Sequence, residues 1–79
     1  MRLDKYLKVS RLIKRRTIAN EACDAKRVSV NGNVARASYD VKPGDVIEIR
    51  LGDKTTKVEV LKVEETVRKE ETDGLYRFL

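Results

Sequence analysis

Histidine and tryptophan are absent from these 79 residues, cysteine and proline each occur once, and three tyrosines and one phenylalanine are the only aromatics. Each shortage excludes a class of function. Without histidine, and with Cys23 alone, there is neither a Cys/His set for a structural zinc nor a pair for an intrachain disulfide. No nucleophile stands beside an activating base and no glycine-rich phosphate loop occurs, so no enzyme, cofactor or metal is expected. No stretch approaches the about 20 apolar residues of a membrane span, and the opening MRLDKYLKVSRLIKRR lacks the apolar run and cleavage site of a signal peptide, which makes the cytoplasm the expected compartment. Only Tyr6 falls near the basic stretch, which argues against binding single strands by base stacking. A chain of this length is expected to form one small domain with no second, catalytic one.

Positive charge is what the chain does have. Lysine and arginine total 18 against 13 acids, a net charge of +5. The distribution says more than the sum: residues 1–27 hold nine bases and three acids, whereas residues 28–79 hold nine bases and ten acids. Such a one-ended patch points to an anionic partner, nucleic acid before membrane, because the basic helices lack the Trp and Phe of a membrane anchor. Within the patch, Arg11, Lys14, Arg15 and Arg16 gather at the entrance of a predicted helix. Bases are unfavourable there by a few tenths of a kcal/mol each, since the helix N-terminus is itself positive. A bound phosphate reverses that sign, being drawn to the bases and to the free N–H groups alike.

Spacing predicts a first helix over Arg2 to Val9 with Leu3, Tyr6 and Leu7 inward, and Leu12 and Ile13 anchoring the link that follows. Asp4 is expected either to pair with Lys8 or to contact something outside the chain. A second helix follows with Ile18, Ala19, Ala22 and Cys23 on its inner face, capped by Thr17 or started earlier by Ser10. Cys23, on the apolar side with no activating histidine, reads as core. Val28 to Val30 begins a strand, and Asn31-Gly32 is a hairpin signal. A strict two-residue loop would divide the valines between faces, so a longer or bulged turn is an alternative. Lys42-Pro43-Gly44-Asp45 reads as a type II turn. Ile47, Ile49 and Leu51 alternate on one strand face, and Val58, Val60, Leu61 and Val63 change phase, which calls for a bulge near Leu61. Residues 1–63 are expected to form the domain; 64–79 are a charged segment with an apolar end, Leu75 to Leu79, that docks back or anchors a partner. The layout is α+β, two short helices on a small, mainly antiparallel twisted sheet.

Arg2-Leu3-Asp4-Lys5, Leu7, Ser10-Arg11, Arg16, Ala19, Val28-x-Val30-Asn31-Gly32, Val41 and Gly44-Asp45 together resemble the RNA-binding domain named after ribosomal protein S4 of the small subunit. The likeness spans about the first fifty residues. It is closest to small stand-alone bacterial members that serve ribosome-associated quality control, and it extends to a ribosome-binding heat-shock protein with a longer, basic tail. Two departures stand out: Lys26 replaces the usual helix-ending glycine, and Arg15 replaces a common serine. The resemblance implies a factor, not an enzyme, that binds the large ribosomal subunit carrying peptidyl-tRNA. It would contact ribosomal RNA and tRNA and support an RqcH-type partner protein in adding C-terminal alanine to stalled chains. Arg16 would be the main RNA contact, Arg2, Lys5, Arg11, Lys14 and Arg15 would support it, and Asp4 would meet the protein partner. The free protein would be a monomer.

Other classes remain open at this point. A large-subunit assembly or recycling factor would share the same fold. A helix-turn-helix DNA binder fits the charge, but Glu21 and Asp24 stand where base-reading residues would project. A protein-interaction module would use Leu75 to Leu79.

Overall fold

The computed structural model describes residues 1–65 and 74–79. Helix α1 (Leu3–Val9) and helix α2 (Arg16–Asp24) precede a sheet of β1 (Val28–Val30), β2 (Asn33–Val34), β3 (Val46–Leu51), β4 (Lys54–Val60) and β5 (Tyr76–Phe78). The strands lie in the order β2-β1-β3-β4-β5, every neighbour antiparallel. Leu3, Tyr6 and Leu7 of α1 and Ala19, Ala22 and Cys23 of α2 share one core with Val28, Val30, Ile47, Ile49, Val58 and Val60. Alanine at 19 and 22 leaves room for the two helices to pack closely, and that closeness fixes which polar groups meet across them.

The start of α2 differs from expectation. Its N-cap is Arg15, extended and making no side-chain capping bond. Thr17 lies inside the helix, and Ser10 closes α1, its hydroxyl donating to the Leu7 carbonyl at 3.2 Å. Ile18, expected inside, is 45% exposed. The Arg11–Arg15 link starts α2 in a phase that turns only Ala19, Ala22 and Cys23 inward. Leu51, the last residue of β3, is 44% exposed and lines an open hollow together with Ile18 and Ala22 of α2.

Lys26 keeps the left-handed geometry usually given to glycine, at φ 61°. The Arg27 N–H donates to the Ala22 carbonyl at 2.9 Å and the Lys26 N–H to Cys23 at 3.0 Å, the paired bonds of a Schellman ending. Lysine carries a steric penalty there that glycine does not. Lys26→Gly is therefore expected to raise stability by about 1 kcal/mol, read from a higher urea midpoint at unchanged slope.

The Asn31-Gly32 turn is the strict two-residue form, with φ 53° and 86°, pairing Ser29 with Val34 and Val30 with Asn33. The bulged alternative is not adopted. β2 is a two-residue edge strand, so leaving Val34 outside beside Ser29 sacrifices one side chain and keeps Val28 and Val30 buried. At the other end of the sheet, the Leu61 and Lys62 N–H groups both donate to the Leu75 carbonyl, the hydrogen-bond pattern of a bulge where one was expected. Residues 66–73, most of the charged segment singled out in the sequence, lie outside the described residues.

The C-terminal end pairs with β4 as β5, and Leu75 is buried. The Tyr6 hydroxyl donates to the Leu75 carbonyl at 2.7 Å, tying α1 to this strand. Burial pushes the Tyr6 phenol up, and Tyr76 adds to it. Tyr6→Phe is expected to cost about 1 kcal/mol and to speed amide exchange across Tyr76–Phe78 before the rest of the sheet. Phe78 and Leu79 stay largely exposed, so only Leu75 and Tyr76 of the apolar end reach the core.

Candidate nucleic-acid interface

The site begins with a pinned amino terminus. The Met1 ammonium donates to Asp40 Oδ1 at 2.7 Å, and the Val41 N–H donates to the Met1 carbonyl at 2.8 Å. The first N–H groups of α1, from Leu3 and Asp4, donate to the carbonyls of Tyr39 and Ala37. These bonds spend the N-terminal donors of α1 on the protein itself, and they fix where Arg2 and Asp4 stand.

Asp4 is the centre of the arrangement. Its side chain is only 3% exposed, and it accepts hydrogen bonds from Arg2 Nε at 3.2 Å, Asn20 Nδ2 at 3.2 Å and the Lys5 N–H at 2.8 Å. Arg16 Nε approaches the other carboxylate oxygen to 3.4 Å. Burial pushes this carboxyl up, but the bonds from Asn20, Arg16, Arg2 and the Lys5 amide outweigh it, and the pKa lies below the ordinary value. Among the described residues Asp4 therefore does not make the expected pair with Lys8, and its carboxylate is spent on Arg2, Arg16, Asn20 and the Lys5 amide. Close helix packing turns it inward, where it clasps two arginines from different parts of the chain.

The clasp leaves the guanidinium groups facing out. Arg2 and Arg16 are 51% and 48% exposed against the buried carboxylate. Two cations on one anion keep a net positive charge, and Arg16, paired with Asp4 through Nε, has no other ion-pair partner among the described residues, which leaves its terminal amino nitrogens for a bidentate oxyanion such as phosphate. Fixing these side chains beforehand lowers the entropy cost of binding. Asn20 lines hollows on both sides of the clasp. One, about 390 Å³, is lined by Asp4, Arg16, Thr17, Asn20 and Glu21. The other, about 480 Å³, includes Arg2, Asn20, Lys26, Arg36 and Ser38 in its walls.

The remaining expected bases are distributed more loosely. Lys14 and Arg15 are exposed where the chain enters α2, whose uncapped first turn offers N–H groups in the same direction. Arg11 is exposed and sits at φ 65° beyond the end of α1, a left-handed conformation costly for arginine. Lys5 pairs with the Glu65 carboxylate, so a phosphate there must displace an acid. Asn20 and Arg36 were not singled out from sequence, and Lys26 was noted there without a role in binding. Lys26 carried a signal, as a base where a helix-ending glycine is usual. Arg36 carried none, because the path of the chain after β2 is what brings it opposite α2.

The other chemistry is quiet. Burial, with Asp4 and Asp24 nearby, pushes the Cys23 thiol up to about 11. A thiol reagent at pH 8 is expected to leave the native protein untouched and to modify Cys23 at the rate of unfolding. Among the described residues no group of three or more Cys, Asp or Glu is placed to hold a metal ion, and no helix is long and apolar enough to cross a membrane.

A family model described as the S4 domain matches residues 1–47. The RQC P-site tRNA stabilizing factor of Halalkalibacterium halodurans is 62% identical over 76 residues, covering 96% of this chain and 86% of the relative. The factor of the same name from Bacillus subtilis is 56% identical over 79 residues, covering 100% and 92%. Among solved structures, heat shock protein 15 of Vibrio cholerae, described as trimeric, superposes with a TM-score of 0.93 at 31% identity, over 100% of this chain and 81% of that one.

Proposed function

The chain belongs to the S4 domain family, and from that membership and the geometry of the clasp we propose that it is a non-enzymatic RNA-binding factor of ribosome-associated quality control. It holds P-site tRNA on the large ribosomal subunit, touching both tRNA and ribosomal RNA, and supports an RqcH-type protein in extending the stalled chain with alanine. It works in the cytoplasm and is a monomer when free. The observation that carries the reading is the buried Asp4 carboxylate holding Arg2 and Arg16 half-exposed at the start of α2. That arrangement suits phosphates at fixed positions in structured RNA better than stacking of single-strand bases, since the walls of the two hollows include no aromatic ring. The relatives bearing the name of a P-site tRNA stabilizing factor align over nearly the whole chain, which supports the choice of tRNA as a partner.

Co-sedimentation with separated ribosomal subunits at two salt concentrations tests this. The natural protein is expected to pellet with large subunits, more strongly when they carry peptidyl-tRNA, and Arg16→Ala to stay in the supernatant. Equal pelleting with both subunits, or with neither, overturns the reading.

A further inference from the structure

The hollow on the Arg2 side of Asn20 gathers bases that the clasp does not use. Arg2, Lys26 and Arg36 stand in its walls against one acid, Asp24, with the Asn20 amide and the Ser38 hydroxyl as neutral polar groups. Arg2 is engaged by Asp4, but Lys26 and Arg36 are exposed and make no ion pair among the described residues. They come from separate parts of the chain, Lys26 from the end of α2 and Arg36 from the loop after β2. Like charges brought around one hollow repel, and a bound anion removes that cost. The loop also leaves the N–H groups of Arg36, Ala37 and Ser38 without an acceptor among the described residues. Lys26 itself sits at φ 61°, so a base is kept where the backbone favours glycine.

We propose that this hollow is a second seat for an RNA backbone phosphate, beside the one at Arg16; the inference rests on the RNA-binding function proposed above. Lys26 and Arg36 supply the neutralising charge, and Asn20 and Ser38 supply hydrogen bonds to the phosphate oxygens. The walls decide the class of ligand. Three bases to one acid select an anion, and with no aromatic ring in the walls the backbone, not a base, is the part of RNA that fits. An acidic protein segment carries the same sign. RNA is favoured over it by continuity, because Arg2 belongs both to this hollow and to the clasp, and Asn20 lines the hollows on either side. Asp24 lowers the charge of the hollow by one, so its removal should tighten an anion and loosen a cation. A strand held at Arg16 alone could pivot; one held at both seats has its direction across α2 fixed.

The test titrates large subunits carrying peptidyl-tRNA, at several salt concentrations, with the natural protein and with Lys26→Gly, Arg36→Gln, Asp24→Asn and Lys57→Gln. Lys26→Gly removes the base while easing the backbone, so weaker binding by it is not a folding defect. Lys57, exposed in β4 on the sheet face turned from the helices, controls for net charge. Lys26→Gly and Arg36→Gln are each expected to weaken binding roughly fivefold near physiological salt and to lower the slope of log affinity against log salt by roughly 0.7–0.9. Asp24→Asn is expected to tighten binding, and Lys57→Gln to change neither quantity. Natural-level affinity in either Lys26→Gly or Arg36→Gln overturns the proposal and leaves the hollow to an acidic protein segment. So does an equal fall in Lys57→Gln, which reduces the effect to net charge, or weaker binding by Asp24→Asn, which assigns the hollow to a cationic group. If the natural protein itself fails to bind large subunits, the functional reading fails first, and the same variants titrated against unfractionated tRNA still decide the seat: the expected pattern upholds it, and no binding or no difference overturns it.

Discussion

Alanine at both Arg2 and Arg16 is expected to weaken binding to structured ribosomal RNA by roughly a hundredfold or more near physiological salt, through loss of two charge-assisted contacts. The slope of log affinity against log salt should also fall by roughly 0.7–0.9 for each base removed. The two effects separate charge from geometry when Arg16→Lys is measured beside Arg16→Ala. Lysine retains the charge and hence the salt slope, but it lacks the planar fork that Asp4 grips through Nε, so affinity should recover only in part. Full recovery with lysine would mean that a diffuse positive surface suffices and that the clasp plays no part in recognition. The variants also need a folding control, since removing both arginines leaves the buried Asp4 with only Asn20 and the Lys5 amide as donors.

Asp4→Asn is expected to be the most damaging single substitution at this site, and in a direction that simple electrostatics does not give. Removing an acid from a basic patch should strengthen RNA binding if only net charge mattered. Here it is expected to weaken binding, because the asparagine amide turns a donor towards guanidinium groups that need an acceptor, and Arg2 and Arg16 lose the anchor that holds them outward. The protein should also lose about 1–3 kcal/mol at pH 7, the worth of hydrogen bonds to a buried charged acceptor whose partners can partly return to water. The pH dependence follows from the sign of the shift. Asp4 has a lowered pKa in the folded protein, so its stabilisation is fully present above its unfolded value, about 3.9, and fades as the pH falls through the lower folded value. Urea unfolding of the natural protein and of Asp4→Asn at pH 7, 5 and 3 should show a constant difference over the first two and a smaller one at pH 3. An equal difference at all three would show that the carboxylate charge contributes nothing to the clasp.

Much of this molecule was legible in the order of its residues. Three- and four-residue spacing marked Leu3, Tyr6 and Leu7 as the inner face of α1, since helical periodicity is a local property. Asn31-Gly32 and Pro43-Gly44 marked turns because backbone preferences at positive φ act within a few residues. The concentration of bases before α2 identified the phosphate-facing end for the same local reason: charge there opposes the helix dipole and so calls for an anion. The resemblance carried by Arg2, Asp4, Arg16 and the Val28 to Gly32 run then gave the family.

Other features depended on what lies far away in sequence. Asp4 reads locally as a helix-surface acid within reach of Lys8, and nothing near it says that Asn20 and Arg16 will pack over it and turn it into a buried anchor. Ile18 reads as core because periodicity reports a phase but not how wide a strip the partner surface covers. Arg36 joins Arg2 and Lys26 around one hollow only because the chain after β2 folds back towards α2. The sequence by itself determined the elements, the turns and the positive end of the chain, all consequences of propensity and charge over a few residues. Only tertiary packing decided which bases are held in fixed geometry, because that required a carboxylate and two guanidinium groups to meet across two helices, at the cost of desolvating the one that holds the others.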